Sequence, residues 1–241
     1  MKKNSLLCCI WGLLFLLFGL SCTKNDVPVE PTPSDSIPIV GESSFTEGDY
    51  TLVFTNTDPS FDTSIRTRLV QTFFKVYPPE VERFNPNSDD TVHFLIDTAY
   101  SGVAATGGGQ VRFSAAYYHS HPNDIDVVTH EVMHIVQSYP QYKPVWLVEG
   151  IADYARYIFG VDNANEGWSL PDYTPDQHYT DSYRVTARFL VWLENHKHKK
   201  IVDQLDKSLR NESYYNKDVW ENTTGKTLDQ LWKDYAADPA L

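Results

Sequence analysis

His130-Glu131-Val132-Met133-His134 decides the reading of this chain, and Glu149-Gly150-Ile151-Ala152-Asp153 completes it. The residues around the first stretch predict a helix from Asn123 to Tyr139. Val128, Val132, Ile135 and Val136 recur at spacings of three and four and form one apolar stripe. Asn123 or Asp124 is the expected cap, and Pro140 marks the end. Residues four apart share a helix face, so His130 and His134 present two imidazoles to one point. Such a pair can hold a single metal at about 2.0–2.1 Å from each nitrogen. Glu131 is next in the chain to the first histidine, to the side of the metal and within reach of a water. This is the helical spacing in which the glutamate is a base and not a ligand.

A catalytic zinc takes three protein ligands and keeps one position open. The third ligand is expected from Pro144-Val-Trp-Leu-Val-Glu-Gly-Ile-Ala-Asp-Tyr-Ala-Arg156. Pro144 suits a first helical turn, and Trp146, Leu147, Ile151 and Tyr154 give that helix a buried side. Glu149 and Asp153 then face the same way. Glu149 is the expected ligand, and Asp153 the acceptor for the free ring nitrogen of His130, which fixes that ligand's tautomer. Gly150 and Ala152 are small and would let the second helix approach the first. The longer histidine-rich variant of the signature requires a glycine where Gln137 stands and a histidine where Pro140 stands, and so is excluded.

The N-terminus predicts export. Lys2 and Lys3 precede a nearly unbroken apolar run from Leu6 to Leu20, which suits a signal-peptide core better than a membrane span. Leu20-Ser21-Cys22 resembles a bacterial lipoprotein cleavage site, so residues 1–21 read as the signal and Cys22 as the lipidated first residue. The 3 cysteines all lie at or before Cys22, which excludes disulfides and thiolate chemistry from the folded part. Residues 22–45, rich in Pro, Ser and acids, read as a flexible tether. Residues 46–241 suffice for one domain. The formal charge of −12 argues against nucleic acid as a partner. The expected location is a bacterial cell envelope, lipid-anchored at the outer membrane, or else secretion.

Within the domain, alternation predicts strands at Tyr50–Thr55, Thr91–Asp97 and Gln110–Ala115, with Gly107-Gly108-Gly109 as a turn. The last of these strands is the expected sheet edge for an extended substrate. Helical spacing predicts Pro59–Tyr77, Asp181–Asn195, Ile201–Leu209, Tyr214–Trp220 and Thr227–Tyr235, the last opened by a Thr-x-x-Gln capping box. Strands first and helices after make an α+β fold, a small mixed sheet followed by a mainly helical half. His119 and His121 read as loop residues, and Arg156 as the partner of an acid.

His130–Gln137, Trp146–Arg156, Tyr183-Arg-Val-Thr-Ala-Arg-Phe-Leu190 and Thr224-Gly-Lys-Thr-Leu-Asp-Gln-Leu-Trp232 together resemble the basic secretory protein peptidases of plants and bacteria. The likeness runs over roughly residues 48 to 238. It implies a zincin-like metallopeptidase of the gluzincin sort, with one zinc ion held by His130, His134 and Glu149. It further implies amide hydrolysis with Glu131 as general base. Tyr183, at the start of its helix and off the apolar stripe, is the candidate donor to the developing oxyanion. The implied partner is a protein, peptide or glycoprotein substrate, met by a monomer. Both endo- and exopeptidase action fit the sequence. The alternative is a catalytically silent zincin-fold lipoprotein that captures peptides or glycans; the intact Glu131 favours the enzyme.

Overall fold

The computed structural model describes residues 40–216 and 219–241. The expected signal segment, Cys22 and the tether up to residue 39 lie outside these residues. Alternating burial builds five strands: β1 Gly41–Glu47, β2 Tyr50–Asn56, β3 Thr91–Asp97, β4 Ala104–Gly107 and β5 Gln110–Ser114. They form one sheet in the order β1-β2-β3-β5-β4. The two central pairings, β2 with β3 and β3 with β5, are parallel, and both outer pairings are antiparallel. The mixed sheet and the α+β order match the sequence expectation.

Two strands were not expected. β1 begins at Gly41, ahead of the boundary set at residue 46, so the end of the assumed tether is part of the sheet. Its inward positions are Ser43 and Phe45 among polar neighbours, so it lacks an apolar alternation. β4 is the small, polar run Ala-Ala-Thr-Gly. It owes its pairing to the two-residue turn at Gly108 (φ +58°) and Gly109 (φ +75°), a left-handed pair that glycine adopts without penalty. β4, not β5, is therefore the edge on the side of the metal helix.

The described residues also form eight α-helices: α1 Thr63–Phe84, α2 Ala115–Ser120, α3 Val127–Gln137, α4 Val145–Phe159, α5 Tyr183–His196, α6 Ile201–Arg210, α7 Val219–Thr224 and α8 Leu228–Ala237. α1 starts later than Pro59 because Asp62 is its cap, accepting from the Ser64 N–H at 2.7 Å. It also continues past Tyr77, through Pro78 and Pro79, because its last turns bury Val81 and Phe84. Thr227 and Gln230 form the expected reciprocal cap of α8. Along the sheet, Leu52, Phe54, Val92, Phe94, Ile96, Val111 and Phe113 are fully buried. Phe73 of α1 meets Phe94 edge-on at 5.6 Å, and Phe94 meets Phe113 at 5.0 Å.

One residue in α1 works against this core. Glu80 is fully buried, and among the described residues neither carboxyl oxygen has a hydrogen-bond partner. Burial pushes its carboxyl well above the usual range, so the folded state keeps it protonated. The unfolded chain ionises it near pH 4.3. A raised acid costs stability as the pH climbs above that value. Glu80→Met is therefore expected to stabilise the domain by about 1–3 kcal/mol. Urea denaturation should show the gain growing from acidic to neutral pH.

Candidate metal centre

α3 carries its two histidines opposite its apolar stripe. Val128, Val132 and Val136 are fully buried, and Ile135 nearly so, while His130 and His134 stay half-buried at the cleft. The helix begins at Val127 rather than Asn123, and neither Asn123 nor Asp124 caps it. Asp124 is engaged elsewhere, accepting from the Tyr117 hydroxyl and pairing with Arg156, the acid partner expected for that arginine. Asp126 precedes the first turn and ties it to the chain after α4. Its carboxylate accepts from the Val161 N–H at 2.7 Å and the Asp162 N–H at 2.5 Å.

α4 brings the third donor. Glu149 Oε2 lies 3.2 Å from His130 Nε2 and 3.7 Å from His134 Nε2, and the two Nε2 atoms are 3.2 Å apart. Ligands held at about 2.0–2.1 Å around one tetrahedral ion sit roughly 3.3 Å from each other. The triangle fits that size. Each imidazole is also committed to the right tautomer. His130 Nδ1 meets Asp153 Oδ1 at 2.7 Å, and His134 Nδ1 meets Gln137 Oε1 at 2.8 Å. With both Nδ1 atoms facing oxygen acceptors, each Nε2 is left either to carry a second proton towards Glu149 or to give its lone pair to a cation at the centre of the triangle. Burial disfavours a charged His130, but Asp153, Glu149 and Glu131 outweigh it and raise its pKa to about 10. Burial likewise works against an ionised Glu149, yet the two histidines hold its carboxyl well below the usual range. A field that favours positive charge this strongly suits a divalent ion.

The arrangement that holds the donors is more complete than the sequence suggests. Gln137 orients His134 and is itself held by the Val148 carbonyl at 2.9 Å. Tyr142, in the loop between the two helices, donates its hydroxyl to Glu149 Oε1, which leaves Oε2 for the histidines. Thr106, in the middle of β4, donates to Glu131 Oε2 at 2.6 Å. Tyr142 and Thr106 were missed because contacts across 7 and 25 residues leave no local periodicity. The smallness of Gly150 serves α5 and not α3: a Cβ there would meet Thr186 Cγ2 at 2.2 Å.

Tyr183 lies at the cleft, with its ring stacked on His130 at 6.2 Å and 53% of its surface exposed. Ser182 (φ +67°) and Tyr183 (φ +49°) both adopt left-handed backbone, a strained turn that sets this ring over the site. Tyr142 flanks the other histidine, 5.8 Å from His134 between ring centres. His119 and His121 are not with them. His119 pairs with Asp58 at 2.7 Å, and His121 stacks on Tyr117. Both belong to the short α2 and its end, not to an open loop. Asp153→Ala is expected to weaken zinc binding by about 10–100-fold, read by competition with a chromogenic chelator.

Two histidines one turn apart on one helix and a glutamate from the next, beside the edge of a mixed sheet, make a donor set that could hold one metal ion. The family described as "Peptidase of plants and bacteria" matches residues 48–235, and the chain belongs to it. Among curated proteins, none matches. Solved structures with similarity include an M1 zinc metallopeptidase E323A mutant from Deinococcus radiodurans, at 11% identity and TM-score 0.48. That match covers 83% of this chain and 52% of the other. A two-domain M1 zinc metallopeptidase E323A mutant bound to L-tryptophan matches at 15% identity and TM-score 0.47, covering 80% of this chain and 50% of that one. The chain thus spans about half the length of these structures.

Proposed function

We propose that this protein is a zinc-dependent peptidase that hydrolyses peptide bonds with Glu131 as general base. The observation that carries the reading is the triangle of His130 Nε2, His134 Nε2 and Glu149 Oε2, with Glu131 held beside it in the same cleft. His130, His134 and Glu149 would hold the zinc. When bound, zinc supplies a Lewis acid that polarises the scissile carbonyl and acidifies water. Glu131 takes the proton from the attacking water and passes it to the leaving amine. The Thr106 hydroxyl on Oε2 fixes the carboxylate's rotation and leaves Oε1 for the water. Tyr183, stacked beside His130, is the candidate donor to the oxyanion, since the Tyr142 hydroxyl is already given to Glu149. We further propose that Cys22 anchors the protein by lipid to a bacterial cell envelope.

The test is hydrolysis of a general protein substrate with and without chelator. Activity that chelator removes and zinc restores supports the proposal; equal rates in both samples sink it. Thr106→Val is expected to lower kcat by about tenfold with KM unchanged, since a misaligned base loses part of its general-base contribution. Thr106→Ser should restore most of it.

A further inference from the structure

We infer that the cleft takes a peptide chain running through it on both sides of the metal centre, so that the protein cuts inside chains rather than at their ends. The inference rests on the peptidase reading and specifies its substrate class.

Two cavities meet at His134, one corner of the donor triangle. The larger, about 840 Å³, reaches from His130, Glu131 and Glu149 out to Trp168 and Arg184. The smaller, about 310 Å³, runs the other way, past Gln137 and Tyr139 to the Gly107–Gly109 turn. Thr106, His134 and Tyr142 line both. The metal centre is therefore a waist between two spaces and not the end of one. Both volumes fall in the range, about 300–1,000 Å³, of sites that enclose a small ligand.

β4 runs along this waist. The turn at Gly108 and Gly109 closes on the pair Gly107 and Gln110, and the Ser114 N–H donates to the Val103 carbonyl at 3.0 Å. The antiparallel alternation then turns the main chain of Val103, Ala105 and Gly107 towards β5 and that of Ala104 and Thr106 away from it. The Ala104 carbonyl is occupied by the Tyr100 hydroxyl at 3.1 Å. No hydrogen bond from the described residues reaches the N–H or C=O of Thr106. These two groups face the free edge at the waist, beside the carboxylate that the same residue's hydroxyl holds. An extended chain pairing with Thr106 has its flanks directed into both cavities.

An exopeptidase needs a charged group to fix a chain terminus next to its metal. On the small side the wall is a run of three glycines, and the carboxylate there is Asp89, beyond the turn at Gly109. On the large side Arg156 is neutralised by Asp124, so Arg184 and Glu166, which also line that cavity, are the charges a chain end would have to meet there.

The experiment compares N-acetylated, C-amidated peptides with the same peptides unblocked, using the zinc-loaded protein and mass spectrometry of products. Internal cuts are expected, with blocking costing less than about tenfold in kcat/KM. A site built to pair a charged terminus would reject blocked peptides by about 10⁴-fold. Release of single residues from free ends alone overturns the inference while leaving the peptidase reading intact; loss confined to acetylated peptides would assign Asp89 to a free amine. A second readout does not need turnover. In zinc-loaded Glu131→Gln, a blocked peptide should slow amide hydrogen exchange both at Ala104–Gly107 and at Ser138–Tyr142. Protection at both without cleavage by wild type keeps the through-running chain and removes the peptidase reading. Absence of protection at both overturns the inference.

Discussion

Glu131→Gln is expected to lower kcat by about 10²–10⁴-fold while zinc content and KM stay at wild-type values. The substitution keeps the size of the side chain, and its amide oxygen still accepts from Thr106, so the local packing survives. What it removes is the ability to take a proton. Glu131 is 6% exposed and lies beside the donor triangle without being one of its corners. A metal measurement and a rate measurement therefore separate its role from that of its neighbours. Loss of zinc in this variant would mean that Glu131 is a ligand. Unchanged kcat with zinc bound would mean that the base is elsewhere. The contrast with Thr106→Val is quantitative: removing the base costs the whole proton transfer, and removing its support costs a share of it.

The donor set was legible because its geometry is local. A helix fixes the spacing of His130 with His134, and of Glu149 with Asp153, so four side chains could be assigned to two faces before any fold was known. The structure brings these side chains together, with Glu149 Oε2 near both Nε2 atoms and Asp153 on the Nδ1 of His130. The limits of the reading follow from the same physics. Thr106 reaches Glu131 across the sheet-to-helix interface, and Tyr142 reaches Glu149 from a loop; tertiary packing sets both, and no period in the chain encodes them. β4 escaped detection because Ala, Thr and Gly carry too little apolar surface to alternate. That omission moved the expected substrate edge from β4 to β5, one strand inward. The helix start at Val127 shows a different failure. Asn123 and Asp124 look like caps, but tertiary partners, Arg68 and Arg156, claim both side chains.

Zinc removal should lower the melting temperature by a margin that the donor triangle makes large. At a thousandfold excess over its dissociation constant, an ion that binds only the folded state adds about 4 kcal/mol. For a domain of this size each kcal/mol moves the midpoint by about 2–4 °C, so the expected gap between zinc-loaded and chelated protein is roughly 8–16 °C. The direction is fixed by electrostatics. Three donors lie within 4.8 Å of one another, and the folded backbone of α3 and α4 forces them together. Glu149→Ala removes the anionic corner of that set. In this variant zinc should no longer shift the midpoint appreciably, and hydrolysis should vanish with it. The chelated forms separate binding from folding, because they compare the two proteins without the ion. If chelated wild type and chelated Glu149→Ala both fold, and zinc raises only the first, the stabilisation comes from coordination and not from α4 packing. Identical melting of wild type with zinc and with chelator would leave His130, His134 and Glu149 as a hydrogen-bonded cluster rather than a metal centre.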